Sequence, residues 1–274
     1  MSRATPHTEA ILPHLAKNGV ALVAPSTGAM TFHKPANPLV FNVRSSYQAE
    51  TEKAVEHLHT LTLQRIAVVH VDDSFGEDCL AGAMKGFDRL KFQPVTVIKA
   101  DRAKPDYAAI VPELVAAKAQ AVIWIGSSVA VSGGVKALRA AGSAAQVVTV
   151  SNNASGGFIK ALGDSARGVV VTQVLPSERS LNYPLVKEAM DLAKAKNLPD
   201  LTPAMLEGFV SAKVLVEGIK RAGPKPDRTK LQAGLESIKK LDLGGLELSY
   251  SATDHSGLDF ADLAIIGADG RFKR

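Results

Sequence analysis

The sequence predicts an α/β protein in which a parallel β-sheet is covered by helices on both faces. Short runs of β-branched residues recur along the chain, and they are nearly continuous in apolar residues instead of alternating with polar ones. This pattern is typical of strands that are buried on both faces. Amphipathic segments of helical length separate the runs. Short connections in this alternation indicate parallel strands joined by crossover helices.

The predicted strands are rich in valine and isoleucine and comprise Val20–Ala24, Ile66–Val71, Val95–Ile98, Ala121–Ile125, Val147–Val150 and Val169–Val174. The predicted helices among them comprise Gln48–Thr60, Glu77–Leu90, Tyr107–Ala117, Val131–Ala141 and Gly157–Leu162. Beyond Pro176 this alternation ends. The later pattern predicts three helices and two alternating segments. They are Tyr183–Lys196, Pro203–Ala222, Thr229–Ile238, Leu246–Tyr250 and Phe260–Ile266.

The first predicted strand, Val20–Ala24, has no other predicted strand close to it in the sequence. A strand of this composition needs cover on both faces and a hydrogen-bonded partner at each edge. We therefore expect its neighbours to come from a further N-terminal segment, from another chain or from a rearranged domain. Because an open apolar edge favours association, we also expect a homodimer through this part of the chain.

Composition and charge exclude several classes of protein. The chain has 274 residues, of which 46% are apolar and 22% charged, enough for one large or two smaller globular domains. The net charge of +5 is spread out, and no run of Lys and Arg is interleaved with aromatic residues, so nucleic-acid binding is not expected. The segment Met1–Ala10 is polar and lacks the apolar core of a signal peptide. No apolar run approaches the roughly 20 residues of a membrane span.

Motifs that would supply catalysis are missing from the sequence. It contains no Gly-x-Gly-x-x-Gly, no Gly-Lys pair, no Gly-x-Ser-x-Gly and no His-x-x-x-His, so we expect no enzyme, no cofactor and no metal site. The acidic pair Asp72-Asp73 follows a predicted strand and could form a catalytic dyad. We interpret it instead as turn and capping chemistry, because a carboxylate there can accept backbone N–H groups of the next helix.

Neutral polar residues follow several of the predicted strands. Ser26, Thr27 and Gly28 come after the first strand, Ser127 and Ser128 after Ala121–Ile125, and Ser151, Asn152 and Asn153 after Val147–Val150. The carboxyl ends of parallel strands, with helix N-termini behind them, form a cradle suited to a small polar or anionic ligand. Since no base or nucleophile accompanies these groups, the pattern favours binding over catalysis.

Four motifs are linked by their order along the chain. They are Phe41–Glu50; Arg65–Val69 followed by Asp72–Gly76; Leu206–Phe209 with Ala212–Leu215; and Leu243–Leu246 leading to Gly267–Gly270. Together they resemble the type I periplasmic binding proteins of the leucine/isoleucine/valine-binding family, over essentially the whole chain. The resemblance is closest to ABC-transporter substrate-binding components labelled as branched-chain amino-acid binding, several of which take other small carboxylates, including aromatic ones.

The resemblance implies two α/β lobes that are joined by three crossing segments and close on a ligand by a hinge motion. It assigns residues 1–44 and 177–250 to lobe 1, and residues 45–176 and 251–274 to lobe 2. Family members begin with a signal peptide and opening strand–helix units, so lobe 1 is expected to be incomplete at its N-terminus. A late start site, a deliberate truncation and a natural remnant each account for this. Ala4 also stands where a glycine is usual.

The resemblance also implies site residues. In the family, hydroxyls and backbone N–H groups of the first lobe hold the carboxylate and ammonium of an amino acid. This role falls on the loop around Thr5, His7 and Thr8 and on the turn Ser26-Thr27-Gly28. In the second lobe it points to Phe75, Ser128 and the turn Asn152-Asn153. Amino-acid binders often place a Tyr and an acidic residue at the positions of Ser128 and Asn153, so this departure argues against an α-amino acid.

We therefore expect the solute-binding component of an ABC-type uptake system. Its ligand would be a small carboxylate, such as a branched-chain amino acid or an aromatic acid, held in the cleft between the lobes. Its partners would be ABC permease subunits, and its location the periplasm. A cytoplasmic ligand sensor or regulator on the same fold is one alternative, which the missing export signal favours. A remnant that no longer binds a ligand is the other.

Overall fold

The computed structural model describes residues 2–198 and 200–274. The helices in this part of the chain are α1 (Thr5–Asn18), α2 (Tyr47–Thr60), α3 (Ser74–Leu90), α4 (Tyr107–Ala116), α5 (Ser128–Ala140), α6 (Gly156–Leu162), α7 (Pro184–Ala195), α8 (Pro203–Ala222) and α9 (Arg228–Glu236). The strands are β1 (Leu22–Val23), β2 (Val40–Phe41), β3 (Ile66–Val71), β4 (Thr96–Ala100), β5 (Ala121–Ile125), β6 (Gln146–Thr149), β7 (Val170–Gln173), β8 (Leu241–Asp242), β9 (Glu247–Leu248), β10 (Asp262–Ile266) and β11 (Phe272–Lys273).

The chain divides into two compact units, each built from separate stretches of sequence. Unit 1 comprises Met1–Ser46 and Leu175–Phe260, and unit 2 comprises Tyr47–Val174 and Ala261–Arg274. The structure places residues 251–260 in unit 1, whereas the sequence assigned them to the second lobe. The reason is local packing: the His255 ring is buried and stacks on Phe41 with 4.1 Å between ring centroids.

Unit 2 contains a seven-stranded sheet in the order β11-β10-β7-β6-β5-β3-β4 within the described residues. The five strands from β3 to β7 pair in parallel, which confirms the predicted α/β class, while β10 and β11 add an antiparallel edge. The alternation of apolar and polar residues in Phe260–Ile266 predicted a strand there, but it did not show that β10 runs antiparallel to β7. Ala67 and Val69 of β3 pack in one core cluster with apolar residues of α4, α5 and α6. Alternate strand residues face the opposite side of the sheet.

Two helices of unit 2 begin three residues earlier than their apolar periodicity predicts, at Ser74 and Ser128. Side-chain caps explain both starts. Asp73 accepts hydrogen bonds from the N–H groups of Phe75 and Gly76, each at 3.0 Å, and Ser127 accepts one from Ala130 at 3.2 Å. Capping satisfies N–H groups that have no partner within the helix. The interpretation of Asp72-Asp73 as a cap is therefore confirmed for Asp73.

Unit 1 provides one neighbour for the first strand from within the chain. β1 pairs in parallel with β2, with Leu22 opposite Val40 and Val23 opposite Phe41. The expectation that Val20–Ala24 lacks any nearby strand is thus wrong on one edge. Beyond the end of β1, a parallel bridge joins Ser26 to Arg3. The apolar residues of α7, α8 and α9 form the core cluster of unit 1 together with Phe41, Leu243 and Leu248.

Within the described residues, none of the helices has the length and mean hydropathy needed to cross a membrane. The same residues contain no cluster of three or more His, Cys, Asp or Glu side chains that could hold a metal ion.

Candidate functional site

The first set of predicted site residues lies in unit 1, and the structure corrects its local conformation. Thr5, His7 and Thr8 belong to the first turns of α1 and not to a loop. Thr5 and Thr8 are buried, while His7 is exposed, with Nδ1 3.2 Å from the carbonyl oxygen of Arg3. Thr8 donates its hydroxyl to the carbonyl oxygen of Ala4 at 2.8 Å. Of these three side chains, Thr5 is the one that hydrogen-bonds another predicted site residue of unit 1 within the described part of the chain.

The turn Ser26-Thr27-Gly28 follows β1 and lies beside the N-terminus of α1. The Oγ1 atoms of Thr5 and Thr27 are 2.8 Å apart, and both side chains are buried. Two backbone hydrogen bonds hold this turn against the residues before α1. The Ser26 N–H donates to the Ser2 carbonyl at 2.8 Å, and the Ala4 N–H donates to the Ser26 carbonyl at 3.4 Å. Two hydroxyls are thus held at the positive end of a 14-residue helix, a setting that favours an anion.

Ala4, the residue before α1, has an unusual backbone conformation. Its φ is 70° and its ψ is 147°, a combination that glycine adopts readily and that strains a residue with a Cβ atom. The neighbouring hydrogen bonds to Ser26 and Thr8 hold it there. The family resemblance places at this position a residue that is usually glycine.

Phe75 lies in the first turn of α3 in unit 2. The residue is 6% exposed, and its ring meets the buried Tyr47 ring edge to face, with 4.9 Å between centroids. The next residue, Gly76, fixes this turn against the end of β3, because a Cβ atom there would lie 1.8 Å from the carbonyl oxygen of Val71. The structure therefore holds Phe75 against Tyr47, and the narrow exposed part of its ring is what could contact a ligand.

Ser128, Asn152 and Asn153 meet at the carboxyl ends of β5 and β6. Asn153 is fully buried: its Oδ1 accepts from Ser128 Oγ at 2.9 Å, and its Nδ2 donates to Thr149 Oγ1 at 2.9 Å and to the Gly126 carbonyl at 3.2 Å. These bonds occupy its polar groups within unit 2. Asn152 donates Nδ2 to the same carbonyl at 3.0 Å, while its buried Oδ1 has no hydrogen-bond partner in the described part of the chain.

Glu50 is a polar residue of this region that sequence reasoning did not identify as important. It lies in α2 and is fully buried. Its carboxylate accepts hydrogen bonds from the Ser151 N–H at 2.9 Å, from Ser151 Oγ at 3.0 Å and from the Thr172 hydroxyl. Ser151 opens the 3-10 turn Ser151–Asn153, so Glu50 anchors the turn that carries Asn152. The sequence does show an acidic residue on the mostly apolar face of this helix, which could have indicated a buried carboxylate. Its hydrogen-bond partners lie too far away in the sequence to be recognised.

A buried cationic residue and a buried histidine set the electrostatics of unit 1. Arg44 is buried and pairs with Glu207, with 3.8 Å between Nη1 and Oε1. His33 is 4% exposed, and its pKa is lowered to about 4 by burial and then by the charge of Arg44. His33 is therefore a neutral residue near pH 7. The predicted site residues of both units include no Asp, Glu, Lys or Arg, which suits ligand recognition by hydrogen bonds.

The chain is similar to a known protein family and to several solved structures. A family model described as "Periplasmic binding protein" matches residues 3–270. The chain is 31% identical to a substrate-binding periplasmic protein from Ralstonia solanacearum, with a TM-score of 0.85, covering 98% of this chain and 77% of that one. A possible leucine/isoleucine/valine-binding protein from Rhodopirellula baltica SH 1 has 24% identity and a TM-score of 0.89, with 99% and 76% covered.

A third solved structure is a branched chain amino acid ABC transporter from Thermus thermophilus with bound valine. It has 17% identity and a TM-score of 0.83, and the match covers 99% of this chain and 75% of that one. At this identity the likeness shows the fold alone. No curated protein matches the chain significantly.

Proposed function

Because the chain belongs to the periplasmic binding protein family, we propose that it is the solute-binding component of an ABC-type uptake system with a small carboxylate as its ligand. Members of this family bind substrates and do not transform them. A branched-chain amino acid or an aromatic acid is the proposed ligand class. The observation that carries this choice is the pair of buried hydroxyls of Thr5 and Thr27, 2.8 Å apart at the N-terminus of α1.

In unit 1, the hydroxyl proton that the Thr5–Thr27 hydrogen bond leaves unused and the backbone N–H of Gly28 would donate hydrogen bonds to the carboxylate. Hydroxyl and N–H donors at a helix N-terminus bind such a group without a cation nearby. His7 is exposed, and Thr8 already donates its hydroxyl to the carbonyl oxygen of Ala4. Neither is therefore proposed to donate a hydrogen bond to the carboxylate.

In unit 2, Asn152 offers the clearest polar group for a ligand. Its buried Oδ1 lacks a partner among the described residues, so a ligand hydroxyl or ammonium could donate to it. Ser128 and Asn153 hold each other and support the turn. The exposed part of the Phe75 ring would contact the apolar tail of the ligand.

The proposed partners are ABC permease subunits, and the proposed location is the periplasm. Support comes from the family and from the structures it resembles, including the Thermus protein described with bound valine. A branched-chain amino acid is supported by these relatives. An aromatic acid is supported by the neutral residues Ser128 and Asn153, which provide no charge to pair with an ammonium.

A panel of ligands tests the proposal. We expect L-leucine, L-valine, benzoate or phenylacetate to raise the melting temperature, because a ligand that binds the folded state stabilises it by RT ln(1 + [L]/Kd). Leucinamide is the matched control, since it keeps the side chain and amine of leucine but lacks the carboxylate. The proposal is wrong if leucinamide stabilises the protein as much as leucine, or if the melt shifts with cationic or nucleotide ligands alone.

We also propose that the chain associates as a homodimer through the β1 side of unit 1. The support is that β1 and β2 form a sheet of two strands in the described residues, and a small parallel sheet with an open edge is rarely stable alone. Light scattering at low protein concentration tests this. A monodisperse, stable monomer would show that unit 1 closes on itself.

A further inference from the structure

Unit 2 contains a cavity of about 330 Å³ between the loop after β4 and the start of α5. Cavities of roughly 300 to 1,000 Å³ are the usual size for small-molecule sites. The polar or charged residues that line it are Arg102, Lys104, Tyr107 and Ser127, and the apolar ones include Pro105 and Val129, with two alanines. All of these belong to residues 102–130, so the cavity lies within unit 2.

The cavity presents positive charge. Arg102 and Lys104 line it, and no carboxylate does so among the described lining residues. The three nearby acidic residues have partners of their own. Asp73 pairs with Arg102, which fixes the guanidinium at the edge of the cavity. Asp101 accepts the N–H groups of residues 103 and 104 at 2.8 and 2.7 Å, and Asp106 caps α4. Within the described residues the Lys104 ammonium forms no ion pair, so it is available to an anion.

The cavity also presents an apolar surface that is already ordered. Val129 is 79% exposed, the largest exposed fraction among the large apolar residues reported for the described chain. Tyr107 donates its hydroxyl to the Ala130 carbonyl at 2.9 Å, and a Cβ atom at Gly133 would lie 2.6 Å from that hydroxyl. The Tyr107 ring is therefore fixed against α5. A valine exposed to this degree beside a fixed aromatic ring and a cation suits a ligand with both an apolar part and a negative charge.

We propose that this cavity is a second ligand site, which binds a small organic carboxylate with an unbranched or aromatic apolar tail. The carboxylate pairs with Lys104 and the remaining guanidinium donors of Arg102. The tail lies between Tyr107 and Val129. Thr5, Thr27 and Asn152 are not among the residues that line this cavity, and the inference does not depend on the proposed uptake function.

Methyl NMR of the full chain tests this site, with hexanoate as the probe. We expect a saturable shift of the Val129 methyl signals, assigned with V129A, with a Kd of about 1 mM for a ligand of this size. Affinity should rise about twofold for each methylene from acetate to hexanoate, because the tail is partly buried. Hexylammonium, which has the same tail and the opposite charge, should not shift these signals.

Charge reversal provides the matched variants. We expect Lys104→Glu to weaken hexanoate binding at least tenfold and Lys136→Glu, an exposed position on α5 outside the cavity, to leave it within twofold. The Thr27 methyl signal reports separately on unit 1. The inference is overturned if Val129 does not shift, if it shifts equally with hexylammonium, or if K104E and K136E behave alike. A Thr27 shift without a Val129 shift would overturn this site and leave the proposed function standing.

Discussion

The Oγ1 atom of Thr5 lies 2.8 Å from the Oγ1 atom of Thr27, although the two residues are 22 positions apart and the rest of α1 and all of β1 lie between them. Both side chains are buried, so each hydroxyl needs a hydrogen-bond partner. Their mutual hydrogen bond uses one of the two hydroxyl protons, and Thr27 Oγ1 also accepts the Ala29 N–H at 3.4 Å. The second hydroxyl proton is what a ligand carboxylate would accept in a hydrogen bond.

Thr27→Val should remove one of these two hydroxyls while keeping the shape of the side chain. We expect ligand affinity to fall at least tenfold, because a lost hydrogen bond to a charged group is worth about 1.5 to 3 kcal/mol. Isothermal titration with the ligand found in the panel measures it. Thr229→Val, at an exposed position of unit 1, is the control and should bind like the parent protein. Unchanged affinity in T27V would remove Thr27 from the site.

Ala4→Gly should stabilise the protein. Relief of the strained backbone at φ 70° outweighs the greater freedom of glycine in the unfolded chain, and we expect a net gain of about 1 kcal/mol in the free energy of unfolding. Urea denaturation measures it. The control is Ala10→Gly, an exposed site within α1, where glycine should cost about 1 kcal/mol. Changes of the same sign in both variants would contradict the strain.

Phe75→Ala should lower the free energy of unfolding by about 3 kcal/mol, because it removes a buried ring that packs on Tyr47. Phe75→Leu keeps most of the apolar volume and separates packing from recognition. If the ring also contacts the ligand, F75L will bind an aromatic acid more weakly while its melting changes little. Parent-like affinity in F75L would leave Phe75 with a packing role alone.

Glu50→Gln should loosen the Ser151–Asn153 turn. An amide nitrogen cannot accept the hydrogen bonds that a carboxylate oxygen accepts, so we expect a loss of about 2 kcal/mol. Hydrogen exchange of the Ser151 amide should become faster in E50Q. The increase should exceed the one that the loss of global stability alone would cause. Glu52→Gln, on the same helix but partly exposed in an ion pair with Arg89, should cost less than about 1 kcal/mol. Equal effects of E50Q and E52Q would argue against an anchoring role.

His33 should make the protein sensitive to mild acid. Its pKa is lowered from the usual 6.5 to about 4 by burial and Arg44, so the unfolded chain takes up a proton before the folded one does. Stability is then fully present above pH 6.5 and falls as the pH drops toward 4, with a loss that reaches about 3 kcal/mol. His33→Gln cannot take up this proton and should lose less over the same interval. Urea unfolding of the parent protein and of H33Q at pH 6.5 and at pH 4 measures the loss of stability in each. The same loss in both proteins would contradict this role of His33.

The sequence predicted most of unit 2, because its strands are continuous apolar runs between capped helices. Ile66–Val71 and Ala121–Ile125 were predicted with the bounds that the structure has. β2 was missed, since Val40–Phe41 is too short to form a recognisable run. The antiparallel direction of β10 could not be read either, because alternation of side chains is the same in both directions.

Prediction of the site was limited by contacts between distant residues. Of the polar residues that follow strands, Ser128 and Asn153 are in contact as expected, whereas Ser26, Thr27 and Gly28 follow a strand of a different, two-stranded sheet in unit 1. The sequence could not show that Asn153 is fully buried and bonded on both its oxygen and its nitrogen. Glu50 lies 101 residues from Ser151, and no local pattern connects the two.

The division of the chain into interleaved units has a consequence for the order in which its parts can fold. Unit 2 is nearly contiguous, from Tyr47 to Val174, so most of it can fold before unit 1 does. Residues 1–46 of unit 1 depend instead on residues 175–260, which follow unit 2 in the sequence. Until those residues are in place, Phe41, which is fully buried in the folded protein, has no core to enter. The N-terminal segment is therefore the part of the chain whose apolar residues stay exposed longest during folding.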